Sequence, residues 1–205
     1  MPSRRPPAAW SLVLAWCALC GWFAFVRGVR VPVLGLVDFG FHELGHLVMY
    51  VLPIHELLTA AMGSIVQVGV PIGLAAYFWV WRSDRVGAAA CMAWGATSLQ
   101  DASVYVADAP HEQLELVGGE HDWAFVLGPD GLDRLDQAAG IASTVRGVGL
   151  LVLLGAGAVA AHGLWQALSA RAPAPLAATP ATPDDLFPTG SRTPSSDPGR
   201  RSTHW

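Results

Sequence analysis

Two histidines four residues apart with a glutamate between them, His42-Glu43-Leu44-Gly45-His46, form an H-E-x-x-H pattern. On a helix, two imidazoles at this spacing leave one face and can share one Zn²⁺ ion. The intervening Glu43 then lies beside the metal as a general base. The flanks are Val31-Pro32-Val33-Leu34-Gly35-Leu36-Val37 and Leu47-Val48-Met49-Tyr50-Val51-Leu52. Three ionisable groups in so apolar a stretch are costly in lipid, so they must face a protein interior or a hydrated cavity. A chance match is not expected at such a position, because His and Glu are disfavoured inside membrane helices.

A catalytic zinc takes three protein ligands and keeps a fourth position open, so a third ligand must come from elsewhere. The run Thr97-Ser98-Leu99-Gln100-Asp101-Ala102-Ser103-Val104-Tyr105 places a carboxylate, Asp101, in an otherwise apolar segment. His46 lies seven residues before Pro53 and Asp101 nine before Pro110. At a rise of 1.5 Å per residue these are depths of roughly 10 and 13 Å in two segments that enter from the same side. Asp101 is therefore the favoured third ligand. His121, in Gly118-Gly119-Glu120-His121-Asp122-Trp123, is the alternative if the Gly-Gly pair hinges the loop over the metal. A ligand on a helix is better held than one on a loop. Asp38 precedes His42 by one turn and is expected to orient that imidazole. Tyr105, one turn beyond Asp101, is expected to line the same site, whereas Asp108, His55 and His111 read as interfacial or solvated groups. Gln67 and Pro71 read as structural features of the third apolar segment.

These residues must be positioned by membrane helices. The 205-residue chain is 53% hydrophobic and only 14% charged, with a mean hydropathy of +0.41. Soluble domains carry about a quarter charged residues. Five apolar segments, approximately Trp10–Val26, Val31–Leu52, Ala61–Trp81, Val86–Ala107 and Gly147–Leu168, have the ~17–25 residues that a bilayer span requires. The first lacks a small-x-small cleavage site and carries bulky Trp16, Trp22 and Phe23, which favours an uncleaved helix over a secretory signal. Short connections between the first four predict an antiparallel bundle. The expected fold is thus all-α: a short segment 1–9, a four-helix membrane core 10–107, an acidic loop and amphipathic lead-in 108–146, and a fifth span 147–170. The Pro-, Ala-, Thr- and Ser-rich residues 171–205 read as a disordered tail. Asp130 resembles a helix N-cap that opens the lead-in. Arg27, Arg30, Arg82 and Arg85 share one side of this arrangement, which the positive-inside rule makes cytoplasmic.

Other classes are disfavoured. No basic run suggests nucleic acid. Cys17, Cys20 and Cys91 lie in apolar stretches and support neither a disulfide framework nor a Cys-based zinc site, although Cys17-x-x-Cys20 formally has metal-pair spacing. His42 and His46 share a helix face and so cannot be opposite axial ligands of a haem.

The Phe41-His42-Glu43-Leu44-Gly45-His46 helix, with a carboxylate on the fourth span, resembles the site-2 protease family of intramembrane zinc metalloproteases. It is also similar to the H-E-L-G-H helix of small bacterial membrane proteins, as is the Gly118–Trp123 loop. The site-2 protease resemblance implies His42, His46 and Asp101 as zinc ligands, Glu43 as catalytic base, and peptide-bond hydrolysis within a cell membrane. The usual Leu-Asp-Gly of that family stands here as Leu99-Gln100-Asp101-Ala102. The expectation is an integral, multi-pass zinc metallohydrolase of a bacterial inner membrane, surrounded by lipid and acting on a membrane-protein or peptide substrate. The competing expectation is a non-catalytic metal-binding or accessory membrane protein, in which His121 would close the fourth coordination position.

Overall fold

Long apolar runs punctuated by Gly, Pro and Arg at their ends leave the backbone no partners but its own, and helices result. In the computed structural model, which describes residues 5–51, 55–116 and 121–170, the chain is all-helical, with no strand among the described residues. Helix α1 is Pro7–Gly21, extended by a π-helical turn Trp22–Val26. The next are α2, Leu34–Tyr50, α3, Glu56–Val80, and α4, Arg85–Asp108. A short α5, Asp122–Leu127, precedes the 32-residue α6, Ala138–Ser169. The five expected segments correspond to α1 with its π turn, α2, α3, α4 and α6. The tail 171–205, the Gly118-Gly119 hinge and Pro53 lie outside the described residues.

Three of these helical stretches are long and apolar enough to cross a membrane: Pro7–Val26, Glu56–Val80 and Leu135–Ser169. The other two are the ones that carry the site. Helix α2 has only 17 residues, and α4 is interrupted by the polar run Thr97–Asp101. Chemistry has diluted their apolarity. Large apolar side chains nevertheless point outward from α1, α2 and α6, among them Leu12, Leu36, Leu47, Leu151 and Leu154. Such a surface is unfavourable in water and favourable in lipid.

Small residues set the helix spacing. Ala89, Ala93 and Ala96 of α4 are fully buried with Ala156 and Ala160 of α6 in one core cluster, together with Cys17 and Cys20 of α1. This small-residue packing lets membrane helices approach without a hydrophobic drive. The same device joins α2 to α3. A Cβ at Gly45 would lie 2.5 Å from the Met62 carbonyl oxygen, so only glycine permits the approach. Helix α2 packs along α3 but scarcely touches α4, which leaves a gap on its other side.

Two local structures differ from the expectation. Asp130 does not open a helix. The chain after α5 instead folds back on it: Leu132 N–H donates to Val126 O at 2.9 Å, and Arg134 N–H to Leu127 O at 2.7 Å. These bonds satisfy the carbonyls at the end of α5, and the long helix begins only at Ala138. At the start of α2, Val33 has φ of +66°, and Leu34 N–H donates to Pro32 O at 2.8 Å. This is a γ-turn, a strained conformation for a β-branched residue.

The helix contact gives a paired prediction. Gly45→Ala forces a Cβ against backbone and should destabilise by about 1–3 kcal/mol. Gly40→Ala, on the same helix with nothing within 4 Å of the added Cβ, should be neutral or slightly stabilising. Thermal unfolding of the two variants in one detergent should show opposite or well-separated shifts.

Candidate metal centre

His42 and His46 leave α2 one turn apart and meet at their Nε2 atoms, 3.1 Å from each other. Asp122, the first residue of α5, brings Oδ2 to 3.0 Å from His42 Nε2 and 3.2 Å from His46 Nε2. Among the described residues these three side chains form the group able to hold a metal ion. A tetrahedral ion bound at ~2.0–2.1 Å separates its N and O ligands by roughly 3.3 Å, so the triangle needs only slight expansion.

The proton positions explain why a cation fits. His46 Nδ1 lies 3.0 Å from the Thr59 carbonyl oxygen, which can only accept, so Nδ1 donates. His42 Nδ1 lies 3.2 Å from Gln67 Oε1 and likewise donates. In neutral imidazoles both Nε2 atoms then present lone pairs, to each other and to a carboxylate oxygen. One added proton would satisfy a single edge of the triangle. A divalent ion satisfies all three at once. Glycine keeps the space free, because a Cβ at Gly63 on α3 would stand 2.5 Å from His46 Nε2 and 2.6 Å from His42 Nε2.

Asp122 is held from three directions. Its Oδ2 accepts from the Tyr105 hydroxyl at 3.1 Å, and its own N–H donates to that hydroxyl oxygen at 3.1 Å. Trp123 Nε1 donates to Ser64 Oγ at 3.0 Å and ties α5 to α3.

The expected third ligands stand elsewhere. Asp101 does not join the histidine pair: Oδ1 accepts from Arg30 Nε at 2.6 Å, and Oδ2 from Gln67 Nε2 at 3.0 Å. His121 does not join it either. Its Nδ1 accepts the Ala124 N–H at 3.2 Å as the N-cap of α5. Its Nε2 faces Asp108 Oδ2 at 3.4 Å, too poorly aligned for a hydrogen bond. Asp108 in turn receives the Leu114 and Gln113 N–H groups, at 2.9 and 3.2 Å, and so shapes the loop rather than sitting free in water. Asp38, expected against His42, accepts instead from Trp94 Nε1 at 2.7 Å and Ser98 Oγ at 3.0 Å, both on α4. The imidazole that Asp38 was to orient is served by Gln67. Tyr105 does reach the site, its ring edge-on to His42 at 5.8 Å.

A cavity of about 780 Å³ occupies the gap between α2 and α4. His42, His46 and Asp122 form part of its wall, with Glu43, Tyr105 and Arg30 alongside. Glu43 is exposed on α2 and unencumbered by any hydrogen bond among the described residues.

Two glycines on α3 separate metal binding from folding. If the group holds a metal ion, Gly63→Ala should abolish stoichiometric metal in the purified protein. Gly69→Ala, with nothing within 4 Å of its Cβ, should keep one equivalent. Asp122→Ala should lose the metal as Gly63→Ala does. Elemental analysis of matched preparations reads all three.

Comparison with known protein families, with curated proteins and with solved structures finds no match to this chain. What the centre does must therefore be argued from its own geometry.

Proposed function

We propose that this protein is a membrane-embedded zinc metallohydrolase of the peptidase type, with His42, His46 and Asp122 as its metal ligands and Glu43 as its general base. The observation that carries this reading is the convergence of three lone-pair atoms on one point in the wall of a large cavity that Glu43 also lines. Two imidazoles and one carboxylate are a donor set that suits zinc and leaves a coordination position open. When bound, the ion would polarise a scissile carbonyl and make water a better nucleophile.

The chain's own residues would supply the rest. Glu43, free of other partners, takes the proton of the attacking water and passes it to the leaving amine. Thr59 O and Gln67 Oε1 keep each imidazole proton on Nδ1, so that Nε2 remains a ligand. Tyr105 fixes the Asp122 carboxylate through its hydroxyl. The cavity runs past α2 residues from Gly35 to Tyr50 and is lined by both apolar and polar side chains, which suits an extended segment of a membrane protein or peptide. All five long helices cross the membrane in this reading, α4 packed among α1, α3 and α6 and α2 lying along α3 with its apolar outer face towards lipid.

The non-catalytic alternative would have His121 close the fourth position. His121 is engaged as the α5 cap and turned towards Asp108, which favours an open, reactive site.

Glu43→Gln removes the base but no ligand. It should retain one equivalent of zinc and lose hydrolysis of a membrane-peptide library by about 10²–10⁴-fold. Unchanged turnover in Glu43→Gln would remove Glu43 from the mechanism, and no turnover by the zinc-loaded wild type would favour the non-catalytic reading.

A further inference from the structure

Asp101, Gln67 and Arg30 have no part in the triangle of ligand atoms, yet they form an unbroken path to it. Arg30 Nε donates to Asp101 Oδ1 at 2.6 Å. Gln67 Nε2 donates to Asp101 Oδ2 at 3.0 Å. Gln67 Oε1 lies 3.2 Å from His42 Nδ1. The path starts in the connection after α1, crosses α4 and α3, and ends on α2.

Each link dictates the next. A carboxylate can only accept, so the Gln67 NH₂ must face Asp101. The amide has one NH₂ and one oxygen, so its oxygen must then face His42. An oxygen at that position requires the proton on His42 Nδ1, which leaves the Nε2 lone pair for the metal. Were the amide reversed, its NH₂ would seek the Nδ1 lone pair, and the proton would move to Nε2 and block the ligand position. Gln67 is 4% exposed, so water is a poor substitute partner. Asp38, one turn before His42 on α2, turns to α4, where its Oδ1 accepts from Trp94 and Ser98; among the described residues the hydrogen-bond partner of His42 Nδ1 is Gln67.

We propose that Asp101 and Gln67 are positioning residues that set the tautomer of His42, with Arg30 anchoring the carboxylate end of the chain. This rests on His42 being a metal ligand. It gives the intramembrane Asp101 a role distinct from ligation.

The proposal makes an exchange testable. Asp101→Asn keeps the shape at 101 but introduces an NH₂. To keep its bond with Arg30, the new side chain must turn that NH₂ towards Gln67, where two donors collide and the Gln67 amide reverses. Gln67→Glu keeps the acceptor for His42 but sets two carboxylates against each other. The double variant Asp101→Asn/Gln67→Glu restores every donor to an acceptor: Arg30 to the Asn oxygen, the Asn NH₂ to the Glu carboxylate, and His42 Nδ1–H to the same carboxylate. Net charge is unchanged.

Zinc affinity should be measured by competition with a chromogenic chelator on detergent-purified proteins. Each single variant should bind about 10–100-fold more weakly than wild type, as loss of outer-shell partners typically costs. The double variant should return to within about threefold. Single variants that bind as wild type, or a double variant no tighter than either single one, would overturn the proposal. If Asp101→Asn abolishes zinc beyond rescue while Asp122→Ala retains it, Asp101 is a ligand and the metal-centre assignment itself fails. A structural role alone would lower melting temperature in the singles without the reciprocal recovery of affinity.

Discussion

Two imidazole nitrogens 3.1 Å apart, both presenting lone pairs and both within 3.2 Å of one carboxylate oxygen, cannot rest in an apolar interior without positive charge between them. Much of the molecule can be understood as the means of holding that arrangement. Helix α3 must come close enough for Thr59 O and Gln67 Oε1 to take the two Nδ1 protons, yet must leave the Nε2 side empty. Gly45 on α2 and Gly63 on α3 meet these two demands, the first by allowing backbone contact and the second by having no side chain where the ligand atoms converge. The carboxylate of the group arrives on a different element, so α5 has to be pinned as firmly as a longer helix would be. Trp123 on Ser64 and Tyr105 on Asp122 do that from two neighbouring helices.

The scaffold and the site make opposite demands on composition, and the chain divides them between helices. Helices α1, α3 and α6 are apolar enough to cross a bilayer on their own merits. Helix α2 carries Asp38, His42, Glu43 and His46, and α4 carries Thr97, Ser98, Gln100, Asp101 and Ser103. Each of these polar side chains that is buried has a protein partner, which is the condition for keeping it out of water. Asp38 joins α2 to α4 through Trp94 and Ser98, and Ser103 bonds back to the Gln100 carbonyl at 2.6 Å. Glu43 is different in kind: it is exposed and has no hydrogen bond among the described residues, and it lines the same cavity as the two histidines.

The helices and the histidine pair were legible because each is a periodic signal. Apolar runs of bilayer length gave all five long helices, and i, i+4 spacing put both imidazoles on one face. The carboxylate that joins the histidines was not legible, and the reason is geometric. Matching the depths of His46 and Asp101 fixed one coordinate along the helix axes and left the rotation of α4 open. That rotation points Asp101 towards Arg30 and Gln67, and Tyr105, one turn on, towards the metal group. The Gly118–Trp123 segment offers a rival ligand in sequence, but spacing alone does not choose between His121 and the adjacent Asp122. His121 is spent on capping α5, and the residue after the cap is the one presented to the histidines. Gln67 was visible as a polar residue in an apolar span, and only its partners on both sides distinguish a structural amide from one that controls an imidazole.

A carboxylate in an otherwise apolar helix bundle carries a desolvation cost that must be offset. Asp101 meets that cost through an ion pair and an amide. Arg30, in the connection that precedes α2, supplies an opposite charge at 2.6 Å, with the Arg side chain 63% exposed at the edge of the cavity. The pair is neutral as a unit, and its remaining acceptor is filled by Gln67. A glutamine bonded to a neutral amide could reverse with little penalty, whereas one bonded to an acceptor-only carboxylate cannot. The ion pair therefore provides direction rather than charge at the metal. That also accounts for Asp101 standing off the histidines: the Gln67 amide spans the gap, its Nε2 3.0 Å from Asp101 Oδ2 and its Oε1 3.2 Å from His42 Nδ1.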